Sequence, residues 1–301
     1  MKIAVTGGTG YVGSHVVKAL HERGDEVWII SRSSSKQSAK PGLHLISWKE
    51  LADNPKKLGG VDAIVNLAGE SISRRWTKEG KHAILQSRLD AAKAIEKFVA
   101  TVDVKPRVVV NASGISIYGN SAPDETAADE SSPARIADFL ASVVEKWEAA
   151  ADRIPVERLV KLRIGLVLGM EGGAFPKMVL PYRLGIGGRM GNGKQWIPWI
   201  HEVDMTRLIL FCLDNPDVAG PVNACAPEPI TNDAFGRAIG KAAGRPHWFP
   251  VPAFSLKAAL GELSMLLLEG SRAVPRKAQD NGFVFNYSTV EKAFEQLFRR
   301  H

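Results

Sequence analysis

The sequence predicts an α/β fold built on a doubly wound parallel sheet, and three observations predict it. The first is the opening stretch, MKIAVTGGTGYVG. Lys2 to Thr6 reads as a short buried strand, Gly7 to Gly10 as a turn with almost no side-chain bulk, and Tyr11 as the start of a helix with Val16, Val17 and Leu20 on one face. The second is the alternation of strand-like and helix-like segments through about residue 170, the pattern of parallel strands joined by helical crossovers. The third is a change of texture beyond Gly169, where glycine pairs, prolines and tryptophans replace the alternation. Together they give a doubly wound parallel sheet with a smaller C-terminal α+β lobe. Residues 1–169 make the first domain, its sheet completed by about 195–230. Residues 170–194 and 231–301 make the lobe.

Each element has its own signal. The first helix runs to about Gly24, a C-cap residue, and Glu26 to Ser31 is the second strand. Leu43 to Trp48 and Val61 to Leu67 are the third and fourth strands. A long helix with apolar residues at three- and four-residue spacing follows from about Thr77 to Val102. Arg107 to Ala112 is the fifth strand, followed by an acidic loop from Asp124 to Pro133. A helix spans about Ala134 to Asp152, and Glu157 to Gly169 is the sixth strand. In the lobe, Asp204 is expected to cap a helix to Asp214, Val222 to Cys225 returns as a strand, and Thr231 caps a helix to Ala243. Arg245 to Pro252 is a linker. Two further helices occupy about 255–269 and 289–299, the second behind a Ser288–Glu291 capping box.

Composition narrows the class. The chain has 301 residues, 45% hydrophobic and 24% charged, which is ordinary for a globular protein. Its net charge of +7 comes from basic residues scattered along the chain, with no aromatic interleaving of the kind nucleic-acid surfaces use. Cys212 and Cys225 stand in no metal or redox spacing, and the seven histidines are dispersed. No metal site is expected. The apolar stretch from Phe254 to Leu268 is interrupted by Lys257 and Glu262 and is too short to span a bilayer. The expectation is a cytoplasmic protein whose partner is a small-molecule substrate, with neither nucleic acid nor membrane involved and a homodimer left open.

The opening turn suits a dinucleotide pyrophosphate, because helix-start N–H groups form an anion site and glycines admit the phosphates closely. Arg32 at the end of the second strand then chooses the cofactor. An acid there would hold the ribose 2′-hydroxyl of NAD, whereas an arginine suits the 2′-phosphate of NADP. No acid occurs from 31 to 36. NADP (NADPH) is the expected cofactor, which makes 1–169 an NADP-binding domain.

These residues carry a resemblance over nearly the whole chain. TGGTGYVG, Ser31-Arg32, NLAGE, RRW…SRLDAA, LRIGLVLG and WIHEVD resemble the extended short-chain dehydrogenase/reductase superfamily. More narrowly, the chain resembles its atypical "epimerase family protein" branch. The segments APEPITNDAF, RPHWFPVP and LLLEGSRAVP are similar to the C-terminal domain of unknown function of that branch. The resemblance implies a Rossmann-type doubly wound parallel sheet with a smaller C-terminal α+β substrate lobe, NADP, and a nucleotide-sugar epimerase or dehydratase label. It also implies cofactor contacts at Gly7, Gly10, Tyr11, Val12 and Gly13 (pyrophosphate), Ser31 and Arg32 (2′-phosphate), Leu67, Ala68 and Gly69 (adenosine side), Arg88, and Val167 at the nicotinamide end.

The superfamily's chemistry uses a Tyr as general acid/base and a Lys four residues later, whose ammonium lowers the phenol pKa toward use. Four residues after Tyr11, Tyr118, Tyr182 and Tyr287 stand His15, Ala122, Ile186 and Glu291. The two family positions fall near Leu140 and Val144, and the family's Ser or Thr falls on Gly114. The catalytic residues are therefore unassigned, with Glu70, Ser113 and Tyr118 as candidates. Arg163, Trp199 and His201 are candidates for the substrate side. Two readings follow: an NADP-dependent oxidoreductase or epimerase-like enzyme with an atypical active site, or a non-catalytic NADP(H)-binding redox sensor or interaction protein.

Overall fold

The structure is a computed structural model and describes residues 1–33 and 40–299. Positions 34–36, part of the reading of the ribose end, lie outside the described residues. The chain opens with β1 (Lys2–Thr6), α1 (Tyr11–Glu22), β2 (Glu26–Ser31), β3 (Leu43–Ser47), α2 (Trp48–Asp53) and β4 (Ala63–Asn66). It continues with α3 (Lys78–Thr101), β5 (Val108–Gly114), α4 (Phe139–Ala151), β6 (Arg158–Ile164) and β7 (Leu166–Leu168). Next come α5 (Phe175–Arg183), β8 (Trp196–Ile197), β9 (Trp199–His201), α6 (Glu202–Asp214), β10 (Gly220–Ala224) and β11 (Ile230–Thr231). The chain closes with α7 (Asn232–Ala243), α8 (Ala253–Leu260), α9 (Met265–Leu268), α10 (Arg276–Asp280) and α11 (Val290–Arg299).

Seven strands pair in the order β10-β6-β5-β4-β1-β2-β3, every pair parallel. The period-two pleat sorts their side chains onto two cores. Ile3, Val5, Val65, Val110, Val160 and Val222 face α1 and α6, while Ala4, Ile64 and Val109 face α3 and α4 with Ile95, Phe98 and Ala151. A third core holds Phe175 and Val179 of α5, Trp199 of β9, Phe235 and Ile239 of α7, and Val290, Phe294 and Leu297 of α11. The residues named in it all lie beyond Gly169.

Several boundaries differ from the sequence reading, each for a physical reason. Trp48 begins α2 rather than ending β3, because Ser47 and Glu50 form a capping box. The sixth strand is two: the chain leaves the sheet at Gly165, where a Cβ would stand 2.4 Å from the Pro198 carbonyl oxygen, and β7 pairs instead with β9. Of the 195–230 stretch, only β10 joins the main sheet, while β8 pairs with β11. The expected 255–269 helix is broken at Gly261 and Ser264 by a 3-10 turn. Thr289, not Ser288, caps α11, its hydroxyl accepting the Lys292 N–H. α5, α2 and α10 were not expected.

Candidate functional site

The carboxyl ends of the strands are where such sheets bind ligands, and the glycine turn stands at that edge. Gly7 has φ +66°, and a Cβ there would lie 2.6 Å from the Leu67 carbonyl oxygen. A Cβ on Gly13 would come within 2.2 Å of the Gly7 carbonyl oxygen, so α1 meets the turn backbone to backbone. The helix starts at Gly10 with no side-chain cap and no acid in its first turn, leaving its leading N–H groups for an external acceptor. The residues present fit an anionic dinucleotide.

Tyr11 projects from that first turn toward the lobe. Its hydroxyl donates to the Glu202 carboxylate at the start of α6, with His15 Nε2 at 3.8 Å from the same carboxylate. Its ring lies over a glycine-rich loop, where a Cβ on Gly172 would be 2.6 Å from the ring and one on Gly169 would run into the hydroxyl. Burial, then Glu202, pushes the phenol pKa well up. Tyr11 thus ties the glycine turn to the segment leading from Val167, half-buried in β7, into the lobe.

Beneath the turn a row of buried polar side chains crosses three strands. Thr6 donates to Asn66 (2.5 Å), Asn66 donates to Asn111 (2.6 Å), and Asn111 donates to the Ala112 carbonyl (2.7 Å). The Ala68 N–H donates to Thr6 Oγ1, which fixes the loop carrying Leu67, Ala68 and Gly69. Arg88 of α3 braces the same loop. Its Nη1 donates to the Glu70 and Ile84 carbonyls (3.0 and 2.8 Å), and its guanidinium stacks on Trp147 at 4.9 Å. Burial pulls its pKa down to about 10 against the opposing charge of Glu70. Ser31 donates to the Ser33 carbonyl, and Arg32 is exposed at the end of β2.

The other half of the edge is closed. Ser113, Arg163 and Asn223 stand side by side on β5, β6 and β10 and face α4. Arg163 grips Glu148 with Nε and Nη2 (2.9 and 3.0 Å) and donates to the Tyr118 hydroxyl with Nη1 (2.8 Å). Tyr118 donates to Asn223, and Ser113 donates to Glu148 (2.6 Å). All five residues are buried. Burial alone would raise the Glu148 pKa, but the bonds from Arg163 and Ser113 outweigh it and hold the carboxyl below its ordinary range. Burial also opposes the charge on Arg163, and Glu148 reverses that and raises its pKa. Tyr118 is pushed up to about 12, mainly by burial.

The match to the NAD dependent epimerase/dehydratase family model covers residues 3–225. The chain belongs to that family. A second model, a domain of unknown function (DUF1731), matches residues 251–297. The epimerase family protein YfhF of Bacillus subtilis is 39% identical over 99% of this chain and 98% of its own length. The mouse epimerase family protein SDR39U1 is 38% identical over 99% of both chains. The human SDR39U1, crystallised with NADPH, superposes with a TM-score of 0.91 at 36% identity, covering 100% of each chain. The Thermus thermophilus UDP-glucose 4-epimerase complexed with NAD is 19% identical over 99% of both chains, with a TM-score of 0.76, and shares the fold.

The two positions that the sequence reading sets against the acid/base pair hold apolar side chains. Val144 is buried against Gly114, where a Cβ would lie 2.9 Å from Val144 Cγ2, and Leu140 is half-buried. Of the three catalytic candidates, Ser113 and Tyr118 are locked in the closed network. Glu70 keeps a half-exposed carboxylate 3.7 Å from Arg74. The substrate-side candidates sit in the interior. Arg163 serves Glu148, and Trp199 is packed in the lobe core at 1% exposure. His201 is fully buried on Tyr287, its Nδ1 accepting the Val203 N–H and its Nε2 donating to Gln296. His201, not Asp204, therefore caps α6. Asp204 instead accepts the N–H groups of Asn286 and Tyr287 (3.0 and 2.8 Å).

Glu148, Asn223, Asn111 and Glu202 join the candidate residues at this edge, and the sequence reading does not single them out. Glu148 had a readable signal, a carboxylate on the buried stripe formed by Ala141, Val144 and Ala151 of α4. Among the described residues no group of metal-ligating side chains occurs, and no helix is long and apolar enough to cross a membrane.

Proposed function

We propose that this chain binds NADPH across its glycine turn and uses it in an oxidoreductase reaction at the carboxyl edge of the sheet. The observation that carries the reading is the cradle: an uncapped helix start, free of acids, closed by Gly7 and Gly13 so tightly that no side chain fits. The human relative crystallised with NADPH supports the choice of nucleotide. In this reading Tyr11, Val12 and Gly13 offer backbone N–H groups to the pyrophosphate, while Gly7 and Gly10, the latter's own N–H held by the Gly7 carbonyl (2.9 Å), keep the approach free of side chains. Ser31 and Arg32 hold the 2′-phosphate, Leu67 to Gly69 flank the adenosine side, and Val167 meets the nicotinamide end. Arg88 acts as a positioning residue through the loop it braces. When bound, NADPH supplies a hydride, which a carbonyl carbon accepts while its oxygen takes one proton.

The test is thermal. NADPH is expected to raise the melting temperature more than NADH does, and Arg32→Asp to remove that difference by weakening NADPH binding about tenfold to a hundredfold, the loss of a charge-assisted contact. Equal shifts with both nucleotides in the unmodified protein would overturn the assignment. The apolar pair Leu140 and Val144 at the family's acid/base positions favours a second reading, an NADP(H)-binding redox sensor. Tight NADPH binding without oxidation across a broad carbonyl panel would select it.

A further inference from the structure

We propose that the crevice at the carboxyl edge takes an uncharged carbonyl compound with an apolar body, and that residues 253–268 form its roof. The inference rests on the NADPH reading above and adds the substrate class.

The segment from α8 through the 3-10 turn to α9 has the sequence AFSLKAALGELSMLLL. So apolar a stretch gains stability only where its surface leaves water, yet Ser264 is its sole buried residue. Phe254 is 74% exposed, and Leu256, Leu263 and Met265 to Leu268 are only half-buried. Among the described residues, none of 253–268 belongs to or packs against any of the four apolar cores. The segment is anchored all the same. At its start the Gly191 N–H donates to the Val251 carbonyl (2.9 Å) on the lobe. Near its end buried Gln195 donates to the Leu267 carbonyl (2.7 Å), and Gly270 exchanges bonds with Asn120 and Ser121 just beyond β5. In its middle Glu262 pairs with Lys81 in the first turn of α3.

These anchors carry the segment from the lobe across the exits of β4 and β5, over the edge where the sheet binds ligands. The ground beside the latch is apolar as well. Trp76 and Phe139 meet edge to face at 5.2 Å, and Lys81 lies over the Phe139 ring. Leu140 and Val144 follow on α4 where the family places its polar pair. Ser116, half-buried near the Gly114–Val144 contact, is the hydroxyl on this ground. An apolar roof and floor, latched by the mutually neutralised Lys81–Glu262 pair, suit an aliphatic or aromatic body better than a diphosphate.

The test uses protein saturated with NADP⁺, so that no turnover occurs, and the uncharged fluorophore N-phenyl-1-naphthylamine as the probe. Methyl ketones from pentan-2-one to undecan-2-one are expected to displace it with an apparent Kd falling roughly fourfold per methylene. UDP-glucose is expected to leave the signal unchanged. Leu266→Asp should flatten the series while NADPH affinity is kept, with Leu263→Ser as a second, milder variant. Trp248→Ala, on the outer surface, should leave the series intact. Displacement by UDP-glucose, a flat series in the unmodified protein, or a series untouched by both leucine variants would overturn the substrate class while the cofactor reading stands. Failure of the unmodified protein to bind NADPH would overturn both.

Discussion

The two halves of the sheet's carboxyl edge treat their polar groups in opposite ways. Around β1, β2 and β4 the turn presents backbone N–H groups that nothing within α1's start satisfies, and its glycines keep that backbone bare. Around β5, β6 and β10 the polar groups are side chains, and Arg163, Glu148, Tyr118, Ser113 and Asn223 satisfy one another in a buried cluster. An unsatisfied half invites a ligand, whereas a satisfied half holds strands and helix together. One half of the edge is bare backbone, and the other is a buried side-chain network.

The largest effect that tests this contrast is expected at Glu148. Glu148→Ala leaves the Arg163 guanidinium buried without its carboxylate, which typically costs about 3–5 kcal/mol. Urea denaturation should show that loss while any NADPH binding by the remaining folded protein is unchanged. The pH dependence has a definite sign. A carboxyl held below its unfolded value stabilises the fold above that value and loses the contribution as pH falls through the folded pKa. The gap between the unmodified protein and Glu148→Gln should therefore be full at neutral pH and close below about pH 4. A gap that widens in acid would show the cluster to be misread.

Gly13→Ala probes the other half with a smaller cost to stability. The added methyl meets the Gly7 carbonyl, a rigid backbone group, so α1 has to move off the turn. Overpacking of this kind costs about 1–3 kcal/mol, and displacing the N–H groups should weaken NADPH about a hundredfold. Calorimetric titration separates the two effects. A variant with lowered stability but intact NADPH affinity would mean that the turn is not the pyrophosphate seat.

The same contrast decides what was legible in the sequence. β1 and β2 were read residue for residue, because apolar runs bounded by glycine have one local solution. The glycine turn was legible for a related reason: its function needs the absence of side chains, which a sequence shows directly. The closed cluster depends on register instead. Ser113, Arg163 and Asn223 become neighbours only when three strands more than 45 residues apart in sequence pair. The cap of α6 is hidden from the sequence on similar grounds. His201 and Asp204 both offer an acceptor near the helix start, and the choice is made by Asn286 and Tyr287, which arrive from far along the chain and take Asp204. Residues 255–269 read as one helix because apolar side chains recur on both sides of Lys257 and Glu262, and nothing local shows that, among the described residues, the segment lies outside the four apolar cores.

Tyr11 belongs to both halves, and the smallest predicted effect is there. Its backbone serves the binding edge, while its hydroxyl is bound to Glu202 and its ring to the glycine loop of the lobe. Tyr11→Phe keeps the ring and the N–H and removes one hydrogen bond to a charged group, a change of about 1.5–3 kcal/mol at most in stability. Glu202 still has His15 within 3.8 Å as a partner, so the loss should fall at or below the lower end of that range. NADPH affinity should move by less than about threefold, since the pyrophosphate meets backbone alone in this reading. Measured together, a small fall in melting temperature with unchanged nucleotide affinity places the hydroxyl in the lobe latch. A large fall in affinity with unchanged melting temperature would instead place it against the nucleotide and erase the division between a bare edge and a closed one.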